Sequence, residues 1–226
     1  MSDAVRTVLR GLGQTLITAG VVVLLFCVYE LKFTSAYTAQ EQKKLDKALV
    51  KEWDAAPTGP VGPVVPASAS GTGFARVYLP TLGRKEVHVV VEGVGHDDLK
   101  KGPGHFPGTA LPGQVGNLVI SGHRTTYGAP FNRLDELDPG DAIVVETRTQ
   151  FFTYTVQRLF VVKPSAIGVT YPVPDRRGVV PTQRLLTLTT CNPKYSAKTR
   201  LIVRAVLSAT LDKGPGVVPP ALQAVA

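Results

Sequence analysis

The chain has 226 residues, of which 44% are hydrophobic and 19% are charged, and its formal net charge is +8. This length allows one ordinary domain with additional segments, and the hydrophobic content is high for a purely soluble protein. The lysines and arginines are spread along the chain without a tight basic run interleaved with aromatic residues, so the charge does not indicate nucleic-acid binding.

A membrane anchor is predicted for residues 11–29, which include no charged side chain. At about 1.5 Å per residue, a helix of this length extends about 28 Å, close to the hydrocarbon thickness of a bilayer. A cleaved signal peptide and a lipoprotein signal are the alternatives, but no Ala-x-Ala site follows the span and Phe26, not a small residue, precedes Cys27. Charge does not decide the orientation, because Arg6 and Arg10 before the span are balanced by lysines after it.

Residues 30–73 are predicted to form a helical stalk followed by a Pro/Gly-rich linker. The stretch 31–54 is rich in helix formers, with Leu45 and Leu49 at the four-residue spacing of one helix face. Prolines then recur at every third position, at Pro57, Pro60, Pro63 and Pro66. This composition favours extended polyproline geometry and cannot build a core, so we expect a semi-rigid tether.

From residue 74 onward the pattern changes to short apolar or alternating runs separated by Gly and Pro, which is typical of an all-β domain. Strands are predicted at residues 74–78, 87–92, 117–122, 141–147, 152–162, 185–190 and 201–207. Short helices are predicted at 97–101 and 131–137, and residues 211–226 are expected to form a flexible tail. With this many strands and little helix, a closed or nearly closed barrel is the expected architecture.

Two of the predicted strands lead into reactive side chains, His123 and Cys191. Cys191 is the only thiol outside the anchor, and Cys27 should not pair with it. A thiol becomes a good nucleophile at neutral pH only when a base or a cation favours the thiolate. Arg200, at the start of the next strand, can supply a permanent charge and hydrogen-bond donors for an oxyanion. Arg204 is the rival cation, because residues four apart on a strand share a face.

Each of these residues also has an ordinary interpretation: an inert buried thiol, a packed histidine and a solvated strand arginine. The other histidines, His88, His96 and His105, are interpreted as structural, because His88 lies inside a predicted strand and the other two lie in Gly-rich loops without a nearby cysteine. His, Cys, Asp and Glu show no metal-ligand spacing, and no phosphate-binding glycine loop precedes a helix. The sequence therefore predicts neither a metal nor another cofactor.

At these residues the sequence resembles the sortase family, and most closely the class E sortases of actinobacteria. The resemblance is carried by residues 100–113, residues 116–128, and the run Thr187-Leu188-Thr189-Thr190-Cys191 with Arg200 downstream, and it extends over nearly all of 74–210. It implies an eight-stranded sortase β-barrel at 74–210, one N-terminal transmembrane helix, a cytoplasmic tail at 1–10 and a catalytic domain outside the cell. The catalytic set that it implies is His123, Cys191 and Arg200.

The resemblance also implies an activity. Sortases cleave a C-terminal sorting signal between Thr and Gly, hold the protein as a thioester on the cysteine, and transfer it to an amine of the cell-wall peptide or of a pilin. The implied partners are surface proteins that carry such a signal, the amine acceptor and the membrane. Class E sortases favour Leu-Ala-x-Thr-Gly over Leu-Pro-x-Thr-Gly, which suggests that Tyr127 reads the amide that proline lacks; packing of its loop is the alternative role. Ser121 and Thr190 are the other candidate substrate-binding residues.

Other protein classes fit the sequence less well. Papain-like proteases place the cysteine before the histidine, and L,D-transpeptidases carry Ser-x-Gly-Cys where this chain has Thr189-Thr190-Cys191-Asn192. A sorted substrate would need a Leu-Pro-x-Thr-Gly motif, an apolar segment and a basic tail near its carboxyl end, and residues 217–226 show none of these. An inactive sortase-like membrane-tethered β-domain that acts as a surface binding module stays open as the non-enzymatic alternative.

Overall fold

The computed structural model describes residues 3–55 and 69–223. A long helix, α1 (Asp3–Ala55), precedes eight strands and two short helices. These elements are β1 (Gly73–Tyr78), β2 (Val87–Glu92), α2 (His96–Leu99), β3 (Gly104–His105), β4 (Gly116–Ser121), β5 (Ala142–Glu146), β6 (Gln150–Val162), β7 (Arg184–Asn192), β8 (Thr199–Asp212) and α3 (Pro220–Gln223). Single 3-10 turns form at Pro80–Leu82, Leu134–Glu136 and Ile167–Thr170.

The strands close into a barrel in the order β1-β2-β3-β4-β7-β8-β6-β5, with β5 pairing back onto β1. The predicted eight-stranded β-barrel is therefore confirmed. Pairing is antiparallel except between β2 and β3 and between β4 and β7, which run parallel. All seven strands predicted from the sequence are present; β3 was missed because two residues are too short to show an alternating pattern.

Side-chain alternation divides β4 and β7 into an inner and an outer face. Leu186 and Leu188 of β7 join Leu118 and Ile120 of β4 in the core of the barrel. Thr187, Thr189 and Cys191 consequently lie on the outer face. A reaction of the Cys191 thiol would therefore take place on this face.

The connection between β6 and β7 covers part of this outer face. Asn117 donates from Nδ2 to the carbonyls of Val169 and Tyr171, at 2.9 and 3.1 Å, and accepts a 2.7 Å bond from the Thr187 hydroxyl. A buried polar side chain thus fastens the connection to the sheet, because a buried amide must find partners for both of its ends. The covered region ends before the carboxyl ends of β4 and β7.

Two predicted elements differ from the structure. The predicted helix 131–137 is only the 3-10 turn Leu134–Glu136, because Phe131, Leu134 and Leu137 all insert into the core from an irregular segment. Their three-residue spacing imitates a helix face. The predicted flexible tail begins inside β8, which extends to Asp212, and α3 also lies within it.

The amino-terminal part of α1 is exposed along its apolar length. No residue of its most apolar 18-residue window is buried, and the mean hydropathy of that window is 2.1. Within the described residues, α1 is the one helix long and apolar enough to cross a membrane. It is thus a candidate membrane span, as the sequence predicts for residues 11–29.

The carboxyl-terminal part of α1 packs against the barrel. The Gln42 amide donates to the carbonyls of Val89 and Lys101, at 3.0 and 2.8 Å, and accepts from the Val89 amide at 2.7 Å. The Thr38 hydroxyl donates to the Lys100 carbonyl at 2.7 Å, and Leu49 is 2% exposed. The predicted stalk is thus docked on the domain, whereas the prolines of the predicted linker, within 56–68, lie outside the described residues.

A charged cluster around Glu146 lies where the last turns of α1 dock on the barrel. Glu146, 5% exposed, accepts hydrogen bonds from Arg76 at 3.0 Å, the Tyr78 hydroxyl at 2.6 Å and Lys213 at 2.5 Å. Burial alone would raise the pKa of Glu146, but the bonds from Lys213 and Tyr78 outweigh it and hold that pKa below its usual value. The Trp53 ring of α1 lies 5.0 Å from the Arg76 guanidinium and 4.1 Å from the Lys213 ammonium, so the helix is attached through both cations.

Candidate active site

The parallel pairing of β4 with β7 brings His123 and Cys191 to the same end of the barrel. Ser121 is the register partner of Thr189, and the Gly122 amide continues the ladder with a 3.1 Å bond to the Thr189 carbonyl. His123 and Cys191 each follow these register partners by two residues. Cys191 therefore lies near the end of β7, and His123 lies in the loop that directly follows the neighbouring strand β4, although the two are 68 positions apart in the sequence.

Arg200 joins them through the antiparallel pairing of β7 with β8. Cys191 and Arg200 are direct register partners, so their side chains project from the same face with Cβ atoms about 5 Å apart. The Arg200 guanidinium donates from Nη1 to the carbonyls of Ala197 and Thr199, at 2.9 and 3.0 Å. The arginine is thus anchored by the backbone next to it.

The rival cation, Arg204, lies farther from the thiol. Its register partner is Thr187, which places it about 13 Å along the strand from Arg200. There it lies under the β6–β7 connection, with Asp175 at 3.8 Å and the Phe160 ring at 5.2 Å. Burial and the nearby Arg158 lower the pKa of Arg204. The register favours Arg200 as the cation beside Cys191.

His123 is half-buried and weakly held by the protein. Its Nδ1 is 3.4 Å from the Thr126 hydroxyl, and its Nε2 is buried with no hydrogen-bond partner among the described residues. Burial, and secondarily the charge of His96, lowers the pKa of His123 below its ordinary value of 6.5. The imidazole is therefore mainly neutral at neutral pH and can accept a proton from a thiol.

Cys191 is a free, partly exposed thiol at the end of β7. Cys27, the other cysteine, lies on the exposed apolar part of α1, and the two form no disulfide. The pairing of β7 with both β4 and β8 places the thiol between the strand that leads to His123 and the strand that carries Arg200. The arrangement places a thiol and a guanidinium as register partners on one face, with an imidazole in the loop that follows the neighbouring strand.

Tyr127 lies beside His123, with the two ring centroids 5.0 Å apart. Its backbone has a positive φ of 51°, which turns the loop back toward α1. Tyr127 also lines a cavity of about 220 Å³ between this loop and α1, to which Thr38 and Gln42 contribute. The ring thus touches the histidine on one side and borders the docked helix on the other.

The other two candidate substrate-binding residues occupy different positions. Ser121 is partly exposed at the end of β4, whereas Thr190 is buried and donates a 2.8 Å bond to the Gly122 carbonyl. Thr190 thereby braces the backbone directly before His123. The substrate contacts of both residues stay predictions.

The remaining histidines have protein partners. His105 is 2% exposed and bonds to Glu92 at 2.7 Å and to the Thr109 hydroxyl at 2.9 Å. His88 lies 3.6 Å from Glu86, and His96 lies 3.5 Å from Asp97. In the described ranges, 3–55 and 69–223, no group of His, Cys, Asp and Glu is arranged to hold a metal ion.

Sequence reasoning overlooked Arg124, which is only 4% exposed. Its guanidinium contacts the Cys191 carbonyl, the Asn192 side chain and Asp135. An arginine directly after the candidate histidine was visible in the sequence. No local pattern, however, shows that a surface-type residue is buried against a strand 67 residues away.

Comparisons with known proteins agree with this geometry. The sortase domain family matches residues 77–208. Sortase SrtE1 of Streptomyces coelicolor is 36% identical over 202 residues, which cover 86% of this chain but 55% of that protein, so the chain spans little more than half of this curated relative. The structure of sortase E from Streptomyces avermitilis is 41% identical, with a TM-score of 0.62 over 69% of this chain and 99% of that chain. Sortase E1 of S. coelicolor, solved with a tripeptide in the active site, is 37% identical, with the same TM-score and the same coverage of both chains.

The sortase match includes the candidate active site, since His123, Cys191 and Arg200 all lie between residues 77 and 208. It extends over more than half of the chain. The sequence match and the closed barrel describe the same region of the protein. The chain belongs to the sortase family.

Proposed function

We propose that this chain is a cysteine transpeptidase of the class E sortase type, with Cys191 as nucleophile, His123 as general acid and base, and Arg200 as the oxyanion-stabilising cation. The observation that supports the proposal is the strand register: β8 carries Arg200 directly opposite Cys191, and β4, on the other side of β7, ends two residues before His123. The neutral state favoured for His123 and the permanent charge of Arg200 supply the two functions that a thiol needs.

The first half of the reaction forms a thioester. His123 accepts the proton of the Cys191 thiol as the sulfur attacks the carbonyl carbon of the threonine in the sorting signal. Arg200 donates to the oxyanion through guanidinium hydrogens not used in its backbone bonds, which both involve Nη1. His123 then gives its proton to the leaving glycine amine, and the C–N bond breaks.

The second half transfers the protein to an acceptor amine. The amine attacks the thioester carbonyl while His123 takes a proton from the attacking nitrogen. The C–S bond breaks and the thiol is regenerated. The proposed acceptors are an amine of the cell-wall peptide or of a pilin, and the proposed donors are surface proteins with a C-terminal signal of the Leu-Ala-x-Thr-Gly or Leu-Pro-x-Thr-Gly type.

Residues around the thiol are proposed to select this signal. Tyr127, beside His123, can hydrogen-bond through its hydroxyl to the backbone amide of the residue after leucine. Proline has no such amide, so this bond would favour alanine at that position. Ser121 is proposed to contact the peptide near the scissile bond, and Thr190 is proposed to support peptide binding by bracing the Gly122 backbone directly before His123.

The chain is proposed to be a single-pass membrane protein with the barrel outside the cell. Residues 1–10 would be the cytoplasmic tail, 11–29 the anchor, 30–73 the stalk and linker, 74–210 the catalytic barrel and 211–226 the tail. The exposed apolar part of α1 supports the anchor, and the last strand of the barrel, β8, extends two residues into the proposed tail, to Asp212. Protease added to intact protoplasts should digest the barrel, and a protected barrel would contradict the orientation.

The function is tested by incubating the full chain in detergent with a peptide library of Leu-x-x-Thr-Gly variants and an amine acceptor. We expect a product in which the amine replaces the glycine, and we expect none from the Cys191→Ala variant. Hydrolysis without transfer would indicate a protease. No reaction with any peptide, together with an unreactive Cys191, would favour the alternative, an inactive sortase-like surface binding module.

A further inference from the structure

A hydrogen-bonded chain of side chains lies beneath the candidate active site. Arg124 follows His123 in the sequence, Asn192 follows Cys191, and Thr199 precedes Arg200. Because successive residues of a strand face opposite sides, Asn192 and Thr199 lie on the face away from Cys191 and Arg200. Each candidate catalytic residue thus has an immediate neighbour in one common network.

Arg124 connects the His123 loop to β7. From Nη1 it donates to the Asn192 Oδ1 atom at 2.6 Å and to the Cys191 carbonyl at 3.3 Å. Its other terminal nitrogen lies 3.0 Å from Asp135, and its own carbonyl accepts a 2.8 Å bond from Asn132. Charge-assisted bonds from a planar, nearly buried guanidinium fix direction as well as distance.

Asn192 continues the network to β8. Its Nδ2 donates to the Thr199 hydroxyl at 3.0 Å, and that hydroxyl donates to the Asn192 carbonyl at 2.8 Å. The two residues are register partners, one position beyond the Cys191–Arg200 pair. The Thr199 carbonyl in turn accepts one of the bonds that hold the Arg200 guanidinium. The network therefore bonds to the Cys191 backbone, reaches the Arg200 side chain through the Thr199 carbonyl, and joins His123 through the peptide bond to Arg124.

We propose that Arg124, Asn192 and Thr199 form a positioning layer that holds the Cys191 backbone in fixed geometry relative to His123 and Arg200. This rests on the proposed function. None of the three touches the reacting atoms; they act through the residues beside them. Catalytic groups must stay close to their productive geometry, and a displacement of about 1 Å can lower a rate about a hundredfold.

The matched pair Thr199→Val and Thr199→Ser tests the layer in the full chain. Valine keeps the shape and the strand preference but removes the hydroxyl, whereas serine keeps the hydroxyl. We expect Thr199→Val to lower kcat roughly tenfold with KM unchanged, since the substrate still binds while the reacting groups are misplaced. Serine should restore kcat. An unchanged kcat in the valine variant, or a loss confined to the melting temperature, would overturn the proposal.

A double-mutant comparison with Arg200→Ala distinguishes a positioning role of Thr199 from a general effect on stability. If Thr199 acts through the Arg200 guanidinium, Thr199→Val should cause little further loss of kcat in an Arg200→Ala background. The same proportional loss in both backgrounds would show that Thr199 acts independently and would contradict this step. Both measurements are made well below the melting temperature of every variant.

Arg124 is tested by a readout that does not require activity. The rate of alkylation of Cys191 by iodoacetamide is measured against pH by peptide mass spectrometry, for wild type and for Arg124→Lys. Arg133→Lys is the matched control, because Arg133 pairs with the exposed Glu136 and contacts none of the layer. We expect a shifted pH profile for Arg124→Lys alone. Identical alkylation profiles for all three proteins would overturn the positioning layer, whether or not wild type transfers peptide. Absence of peptide transfer by wild type would, by itself, contradict only the proposed function.

Discussion

Buried polar groups on the side of the barrel that packs on α1 are more completely hydrogen-bonded than those at the end that carries Cys191. On the α1 side, Glu146 has three donors and Gln42 uses both ends of its amide. At the Cys191 end, His123 Nε2 and Arg124 Nε are buried without a partner among the described residues, as are two nitrogens of Arg204 farther along the same outer face. Among the described residues on the α1 side, His88 Nε2 is likewise buried without a hydrogen bond, with the nearest carboxylate, Glu86, at 3.6 Å.

This difference suggests that the polar groups on the α1 side stabilise the fold, whereas those at the Cys191 end serve binding or reaction. A buried polar group with all its bonds formed holds elements together, whereas leaving one unsatisfied costs about 1–3 kcal/mol. At a candidate active site, a buried polar atom without a protein partner is available to bind or react with a substrate. Substitutions at the Cys191 end should therefore lower activity and spare stability, and substitutions on the α1 side should do the reverse.

The largest effect is expected from the nucleophile and its base. Cys191→Ala and His123→Ala should each reduce transpeptidation by several orders of magnitude, because neither the thioester nor the proton transfers can occur without them. The melting temperature should stay close to that of wild type, as neither side chain has a strong bond to the protein. Cleavage assays and thermal unfolding of the same preparations provide the check, and unfolding of either variant would contradict the separation.

Arg200→Ala should have the next largest effect. Loss of one oxyanion donor typically lowers kcat roughly a hundredfold to a thousandfold. Arg204→Ala is the matched control, because Arg204 lies on the same strand face but opposite Thr187. If Arg204→Ala were inactive and Arg200→Ala nearly normal, the assignment of the cation would be wrong.

On the α1 side, Glu146→Ala should destabilise the protein and leave kcat largely intact. Removing one partner of a buried ion pair costs about 3 kcal/mol or more, since Lys213 would lose its carboxylate and Arg76 would keep only its pair with Asp46. Glu41→Ala, which removes an exposed pair with Lys44 on α1, should cost at most about 0.5 kcal/mol. Denaturant unfolding measures both, and equal losses would show that the cluster does not hold the structure together.

The smallest expected effect concerns Tyr127. Tyr127→Phe keeps the ring against His123 but removes the hydroxyl, so cleavage of a Leu-Ala-x-Thr-Gly peptide should fall roughly tenfold while that of the Leu-Pro-x-Thr-Gly peptide changes little. Competition between the two peptides in one reaction measures the ratio directly. Equal activity of the variant and wild type on both peptides would leave Tyr127 as a packing residue of the loop.

The fold was predictable where the signal is local. Alternating apolar runs located seven strands, and a charge-free stretch located the apolar part of α1. The parallel pairing of β4 with β7 was not predictable, because it depends on contacts about 68 residues apart. The docking of α1 was missed for a similar reason: the spacing of Leu45 and Leu49 indicates a helix face but not the surface on which it packs.

The residue types of the candidate site were predictable, but the hydrogen bonds that hold those residues in place were not. A histidine, a cysteine and an arginine at strand boundaries indicate thiol chemistry, and the barrel brings those strands together. The contacts that join their neighbours Arg124, Asn192 and Thr199 were not predictable, because a hydrogen-bond partner distant in sequence leaves no periodic trace. The eighth strand, β3, was too short to be seen.

The most direct test of the account is intact-protein mass spectrometry of the full chain incubated with a Leu-Ala-x-Thr-Gly peptide and no amine acceptor. We predict a mass increase equal to the peptide fragment that ends in threonine, attached to Cys191 and released by hydroxylamine, with no such adduct on the Cys191→Ala variant. Peptide cleavage without an adduct, or an adduct on another residue, would contradict the assignment of Cys191 as the nucleophile.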